Sequence, residues 1–170
     1  MDRRQYLITT GATMTALIAG CSSPESEGDD NSPIDAEPEE LMPSADLFGD
    51  GWERYDGDAR GMHEVELEGN TASASFDTDQ GEERVDVKVA VFESVDGAMS
   101  GYEEMRDYDF ETPDLAEDVD IASEGHLMDF EDVFVYFRDA NVIGMLLHSN
   151  ISGSSNSEEY AVDWHKTWRD

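Results

Sequence analysis

The sequence predicts an α+β domain, an antiparallel β-sheet with two helices packed on one face in the order βββα-βββα, preceded by a signal peptide and a disordered acidic linker. Three observations predict the domain. Residues 71–77 and 83–92 alternate apolar and polar side chains, the period of a strand with one wet face. From Ser94 the apolar positions shift to three- and four-residue spacing, the period of a helix. A similar succession returns after residue 121 and ends in Tyr160, Trp164 and Trp168, four residues apart.

Taken in order, residues 41–52 form an irregular lead-in whose Trp52 is expected to pack onto the domain. In residues 62–68, Val65 and Leu67 share one face while Glu64, Glu66 and Glu68 share the other, which predicts the first strand. Gly69 and Asn70 turn it into residues 71–77, with Ala72, Ala74 and Phe76 on one side, so the two should form a hairpin. After the turn Asp79-Gln80-Gly81, residues 83–92 place Val85, Val87, Val89 and Val91 inside and Arg84, Asp86 and Lys88 on the wet face. Ser94 can cap a helix whose buried stripe is Val95, Ala98, Met99, Tyr102 and Met105. Its Gly97 and Gly101 each weaken it by about 1 kcal/mol relative to alanine, so packing must stabilise it. Residues 107–120 are acidic, contain Pro113 and read as mostly loop. An irregular strand at 121–130 and a stronger one at 133–137 follow, and Asp139-Ala140-Asn141 turns into 142–148, apolar enough to be central and buried on both faces. A polar loop leads to the last helix, 157–168, its aromatic stripe facing the core. The two halves share this element order as a diverged repeat would, and two layers of sheet with peripheral helices are the other architecture open to the pattern.

Ahead of the domain (41–170), residues 1–20 have the layout of an export signal: Arg3 and Arg4, then an uncharged run of 14 apolar, small and threonine residues from Leu7 to Gly20. A helix that crosses about 30 Å of hydrocarbon needs about 20 apolar residues, so this run is short for a span. The pair Arg3-Arg4 before Gln5-Tyr6-Leu7, and Ile18-Ala19-Gly20 before Cys21, together resemble a twin-arginine signal joined to a lipobox. The resemblance implies export by the twin-arginine translocase and alkylation of the Cys21 thiolate by a lipid, Cys21 becoming the new amino end on the outer face of the membrane. Each buried lipid methylene contributes about 0.8 kcal/mol, so a two-chain lipid anchors without a spanning helix. Cys21 is the one cysteine, so no intrachain disulfide can form.

Residues 21–40 then form the tether. After Cys21 they contain three prolines, four serines and eight acidic side chains, with Ile34 as the only large apolar residue, a solvated and self-repelling spacer. Over the whole chain, 42 acidic against 10 basic residues give a net charge of -32. That charge excludes nucleic-acid binding through a basic surface, which needs lysine and arginine to displace counterions. At about 0.1 M salt charges within roughly 10 Å still repel, whereas near 1 M the screening length is about 3 Å, so the composition suits multimolar salt. With the export signal, it is similar to the twin-arginine-exported lipoproteins of halophilic archaea.

No motif names a reaction. Asp107-Tyr108-Asp109-Phe110-Glu111 has the opening of a calcium loop with Asp118 at position twelve, but Thr112 stands where glycine makes the sharp turn and Pro113 follows. His63, His126, His148 and His165 lack metal-ligand spacing, and His63 shares the parity of Val65 and Leu67 as an edge-of-core residue would. Gly97-Ala98-Met99-Ser100-Gly101 is not a nucleophile elbow. The expectation is therefore a non-catalytic binding or accessory domain, anchored to the membrane through Cys21, without metal or cofactor, meeting a protein or a small solute. The alternative is an extracytoplasmic enzyme, a hydrolase, with a site assembled from distant residues.

Overall fold

A computed structural model describes residues 32–55, 67–78, 81–109, 116–150 and 156–169. They build one seven-stranded sheet from β1 (Trp52–Tyr55), β2 (Asn70–Thr78), β3 (Glu83–Val91), β4 (Ala116–Asp118), β5 (Glu124–Asp129), β6 (Val133–Asp139) and β7 (Val142–Asn150). The helices are α1 (Val95–Asp109) and α2 (Ser157–Lys166), the latter tightening into a 3-10 turn at Thr167–Arg169. Spatial order is β1-β2-β3-β7-β6-β5-β4, with every neighbouring pair antiparallel. The α+β class and the antiparallel sheet are thus observed.

β7 lies at the centre, and its sequence explains why. Val142 and Leu146 face one core while Ile143 and Met145 face another, all fully buried. The first core combines Val85, Val87 and Val89 of β3 and Val135 and Phe137 of β6 with Ala161, Trp164 and Trp168 of the carboxyl-terminal helix and turn. The second gathers Ala90, Met128 and Tyr136 under Ala98, Tyr102 and Met105 of α1. The helices therefore lie on opposite faces of the sheet, not on one, which corrects the expected packing. Four antiparallel steps separate β3 from β4, so these strands run parallel and α1 is a crossover from the centre of the sheet to its edge. Strand twist gives such crossovers one hand and commits α1 to one face, whereas α2 packs on the other. A twofold axis relating antiparallel β3 and β7 would put both helices on the same face, so the halves are not a symmetric repeat.

Several elements differ from the sequence pattern. Among the described residues the order is βββα-ββββα, because β4 lies within the stretch expected as loop. The first strand is Trp52–Tyr55, paired with residues 75–78 of β2, while the strand expected at 62–68 falls mostly outside the described residues and its Leu67 and Glu68 are not in a strand. Trp52 packs as expected, its ring 5.5 Å from Phe48 and 6.2 Å from Tyr160. Asp86 is not on a wet face: it is 2% exposed, accepts hydrogen bonds from Arg84 Nε at 3.0 and 3.2 Å and one from the Ser75 hydroxyl. Met99, expected in the buried stripe of α1, is 41% exposed.

Two glycines are fixed by close approach. A Cβ on Gly144 would stand 2.5 Å from the ring of its cross-strand partner Phe137, which covers the glycine and then meets Trp164 edge-on at 5.5 Å. A Cβ on Gly101 would stand 2.8 Å from Phe92 Cζ. The packed domain also reaches back past residue 41. A 3-10 turn at Pro38–Leu41 buries Pro38 and Leu41, and the Leu41 carbonyl accepts the Trp164 indole N–H at 2.7 Å. Among the described residues no helix is long and apolar enough to cross a membrane.

Candidate functional site

Arg3, Arg4, Ile18, Ala19, Gly20 and Cys21 lie outside the described residues, as does His63. The other sequence candidates are placed plainly. α1 continues through Asp109, and Asp118 sits in edge strand β4, opposite His126 of β5, rather than closing a calcium loop. Among the described residues no three His, Cys, Asp or Glu side chains converge as metal ligands. Trp164 and Trp168 are buried in the first core with Tyr160 packed against it, so this stripe is a seam of the fold.

The fold does bring distant polar groups together around three histidines. On the α1 face, the Tyr102 hydroxyl is 2.6 Å from His126 Nδ1, and His126 Nε2 is 3.1 Å from Asp118 Oδ1. A carboxylate beside Nε2 requires the hydrogen there, so Nδ1 is the acceptor and the phenol donates to it. Tyr136 stacks on the imidazole, with centroids 5.2 Å apart and planes inclined by 12°. Burial pushes the His126 pKa down and, with Arg106, outweighs the opposite pull of Asp118 and Glu124. Burial also pushes the Tyr102 phenol far above its ordinary 10, helped by Tyr136 and Glu124. The chain Asp118–His126–Tyr102 thus has one water-exposed end and one wholly buried end.

On the α2 face, His148 Nδ1 is 3.0 Å from Ser157 Oγ, and its Nε2 is 4.0 Å from Glu83 Oε2. Both His148 and Ser157 are 1% exposed. Burial lowers the His148 pKa against the pull of Glu83 and Asp132. Around it stand Trp52 at 6.2 Å and Tyr160 at 5.6 Å, with Phe48 in turn 5.3 Å from Tyr160. These are contact spacings between rings, so the aromatic side chains fill the space between them.

No known protein family, curated protein or solved structure matches the chain. The site must therefore be judged on its own geometry.

The third histidine belongs to a clasp. Asp139, at the end of β6, accepts hydrogen bonds from Arg169 Nε at 2.8 Å and Nη2 at 2.7 Å and from His165 Nε2 at 2.9 Å. Burial raises the Asp139 pKa, but the hydrogen bonds and charges of His165 and Arg169 outweigh it and hold the carboxyl at about 2. Two residues on, the Asn141 side chain accepts the Ile34 N–H at 2.7 Å and donates to the carbonyls of Ile34 at 3.2 Å and Phe92 at 2.9 Å. One turn therefore holds both the amino-terminal entry and the carboxyl-terminal helix. The spacing of the histidines gave no sign of these clusters. Strand parity held the signal for one of them, since His126 shares a face with Met128 once β5 is paired in register.

Proposed function

We propose that the chain is an extracytoplasmic lipoprotein, anchored to the outer face of the membrane through lipid on Cys21 and exported by the twin-arginine translocase, whose domain binds or assists a partner without catalysis in high salt. The reading rests on the run from Arg3-Arg4 to Ile18-Ala19-Gly20-Cys21. The clasp at Asn141 supports it, because among the described residues it holds the Ile34 backbone, 13 positions after Cys21. That length reaches at most about 45 Å when extended, enough to stand the domain clear of the lipid headgroups. The end of the sheet opposite the clasp carries the β5–β6 turn, where Phe130 is 55% exposed among Asp129, Glu131 and Asp132. A partner approaching from outside would meet that end first.

The test is the anchor. Cys21→Ser should abolish incorporation of labelled lipid and either release the protein or leave its precursor uncleaved; lipid labelling that persists in this variant sinks the reading. Replacing Arg3 and Arg4 with lysine should stop export of the folded precursor.

A hydrolase has one observation in its favour, the serine, histidine and glutamate of Ser157, His148 and Glu83. Burial of the hydroxyl argues against it, since a nucleophile must reach its substrate. Ester hydrolysis or fluorophosphonate labelling that disappears in Ser157→Ala would establish that alternative.

A further inference from the structure

We propose that Tyr102, His126 and Asp118 form a proton-operated latch, which holds the carboxyl-terminal half of α1 and edge strand β4 to the sheet near neutral pH and lets them loosen in mild acid. With a neutral imidazole every group in the chain is satisfied: the phenol donates to Nδ1 and Nε2–H donates to Asp118. A proton added at Nδ1 puts two hydrogens into a 2.6 Å gap. The phenol oxygen can then accept, but its own hydrogen must turn away and find another acceptor where Tyr102 is only 1% exposed. Tyr102 cannot yield that hydrogen instead, because its burial holds the phenol protonated.

Among the described residues, the charged and titratable groups around the imidazole come from its own strand β5 and from β4, β6 and α1 packed against it. Asp118 of β4 and Glu124 of β5 favour the imidazolium, Arg106 of α1 opposes it, and Tyr102 of α1 and Tyr136 of β6 enclose the ring. The Asp118 side chain is 95% exposed, so water and salt screen its attraction, while the conflict with Tyr102 lies in the dry interior. The parts held by the latch have limited support of their own. β4 has three residues paired on one side only, and α1 carries Gly97 and Gly101. Such an edge opens at a lower free energy than the centre of the sheet and can do so without unfolding the rest. Opening would bare Tyr102, Met105, Met128 and Tyr136, all buried in the second core, as an acid-exposed apolar surface. The latch does not depend on the lipid anchor.

The experiment is native-state hydrogen exchange of the full chain in molar potassium chloride at pH 7 and about 5.5, corrected for intrinsic rates, beside an NMR titration of His126. Protection at Glu117, Asp118 and residues 102–106 should fall roughly tenfold in acid while Val87 and Leu146 hold theirs. In Tyr102→Phe, which removes the competing hydrogen, His126 should titrate closer to 6.5 and the acid loss of protection should shrink. His126→Gln should show protection indifferent to this pH range. Equal protection of β4 at both pH values in the wild-type chain overturns the latch whether or not the variants fold, as does a Tyr102→Phe titration identical to wild type.

Discussion

At Gly144 a strand centre contains the residue that ordinarily weakens a strand, and the reason is the Phe137 ring lying across it. Gly144→Ala would drive a methyl to 2.5 Å from that ring, whose far side is braced by Trp164 and Trp168. Overpacking of this kind should cost about 1–3 kcal/mol in urea denaturation, with the slope unchanged. Asp139 is a second residue whose neighbours decide its behaviour. Its folded pKa of about 2 lies below the ordinary 3.8, so the unfolded chain takes up the proton first as pH falls. Its contribution is fully present above about 4 and should disappear as pH drops through about 2. Asp139→Asn should remove that acid-sensitive component and lower stability at neutral pH by about 1.5–3 kcal/mol, the range for charged hydrogen bonds. His126 and His148 shift the same way for a different group. Both pKa values are lowered by burial, so the unfolded chain protonates first below about 6.5 and stability declines from there as pH falls. An acid melting series should therefore show two separate declines, the upper one flattened by removing the two imidazoles.

The elements differ in how visible they were in the sequence, and the difference follows from what each one buries. β3, β7 and α2 were legible because Val85, Val87 and Val89, the continuous run 142–148, and the Trp164 and Trp168 spacing each state one periodicity without interruption. β1 and β4 were not, because an edge strand of three or four residues such as Ala116-Glu117-Asp118 buries almost nothing and carries charges that discourage pairing with another chain. The face of each helix was also beyond reach, since α1 and α2 have equally amphipathic patterns and only the parallel relation of β3 to β4 separates them. Asp86 reads as wet from its neighbours Arg84 and Lys88, yet β3 is an interior strand and Ser75 and Arg84 satisfy the carboxylate. The amino-terminal strap was hidden by composition: prolines and acids describe a spacer, while one asparagine 107 positions away holds Ile34. Asn141→Ala should leave the Ile34 and Phe92 backbone groups without these bonds and cost about 1–3 kcal/mol. A chain starting at Met42 should be less stable than one starting at Asp30 by a similar or larger amount, which thermal melting at fixed salt would measure.

At the scale of the whole molecule, the arginines explain how so acidic a chain can fold and why its surface is left so negative. Arg84 is committed to Asp86, Arg138 to Glu124 and Arg169 to Asp139, each pair having one side chain less than a tenth exposed. Positive charge thereby satisfies the buried carboxylates Asp86 and Asp139, a half-exposed carboxylate balances the buried Arg138, and the exposed pair Lys166–Asp163 adds little. The remaining carboxylates repel one another across the surface, a penalty that grows as the screening length lengthens from about 3 Å in molar salt to about 10 Å at 0.1 M. Stability should accordingly rise by a few kcal/mol between 0.1 and about 2 M potassium chloride, most steeply at the low end, where screening changes fastest. Sucrose at equal osmolality strengthens burial without screening and should give a smaller, nearly linear gain. The charge itself can be tested by replacing exposed Glu103, Glu104, Glu117 and Glu131 with glutamine, which touches none of the buried pairs. That variant should be more stable than wild type in 0.1 M salt and converge on it in 2 M. If the two melting curves instead stay parallel across the series, surface repulsion does not set the salt requirement, and the buried arginine pairs would have to be its source.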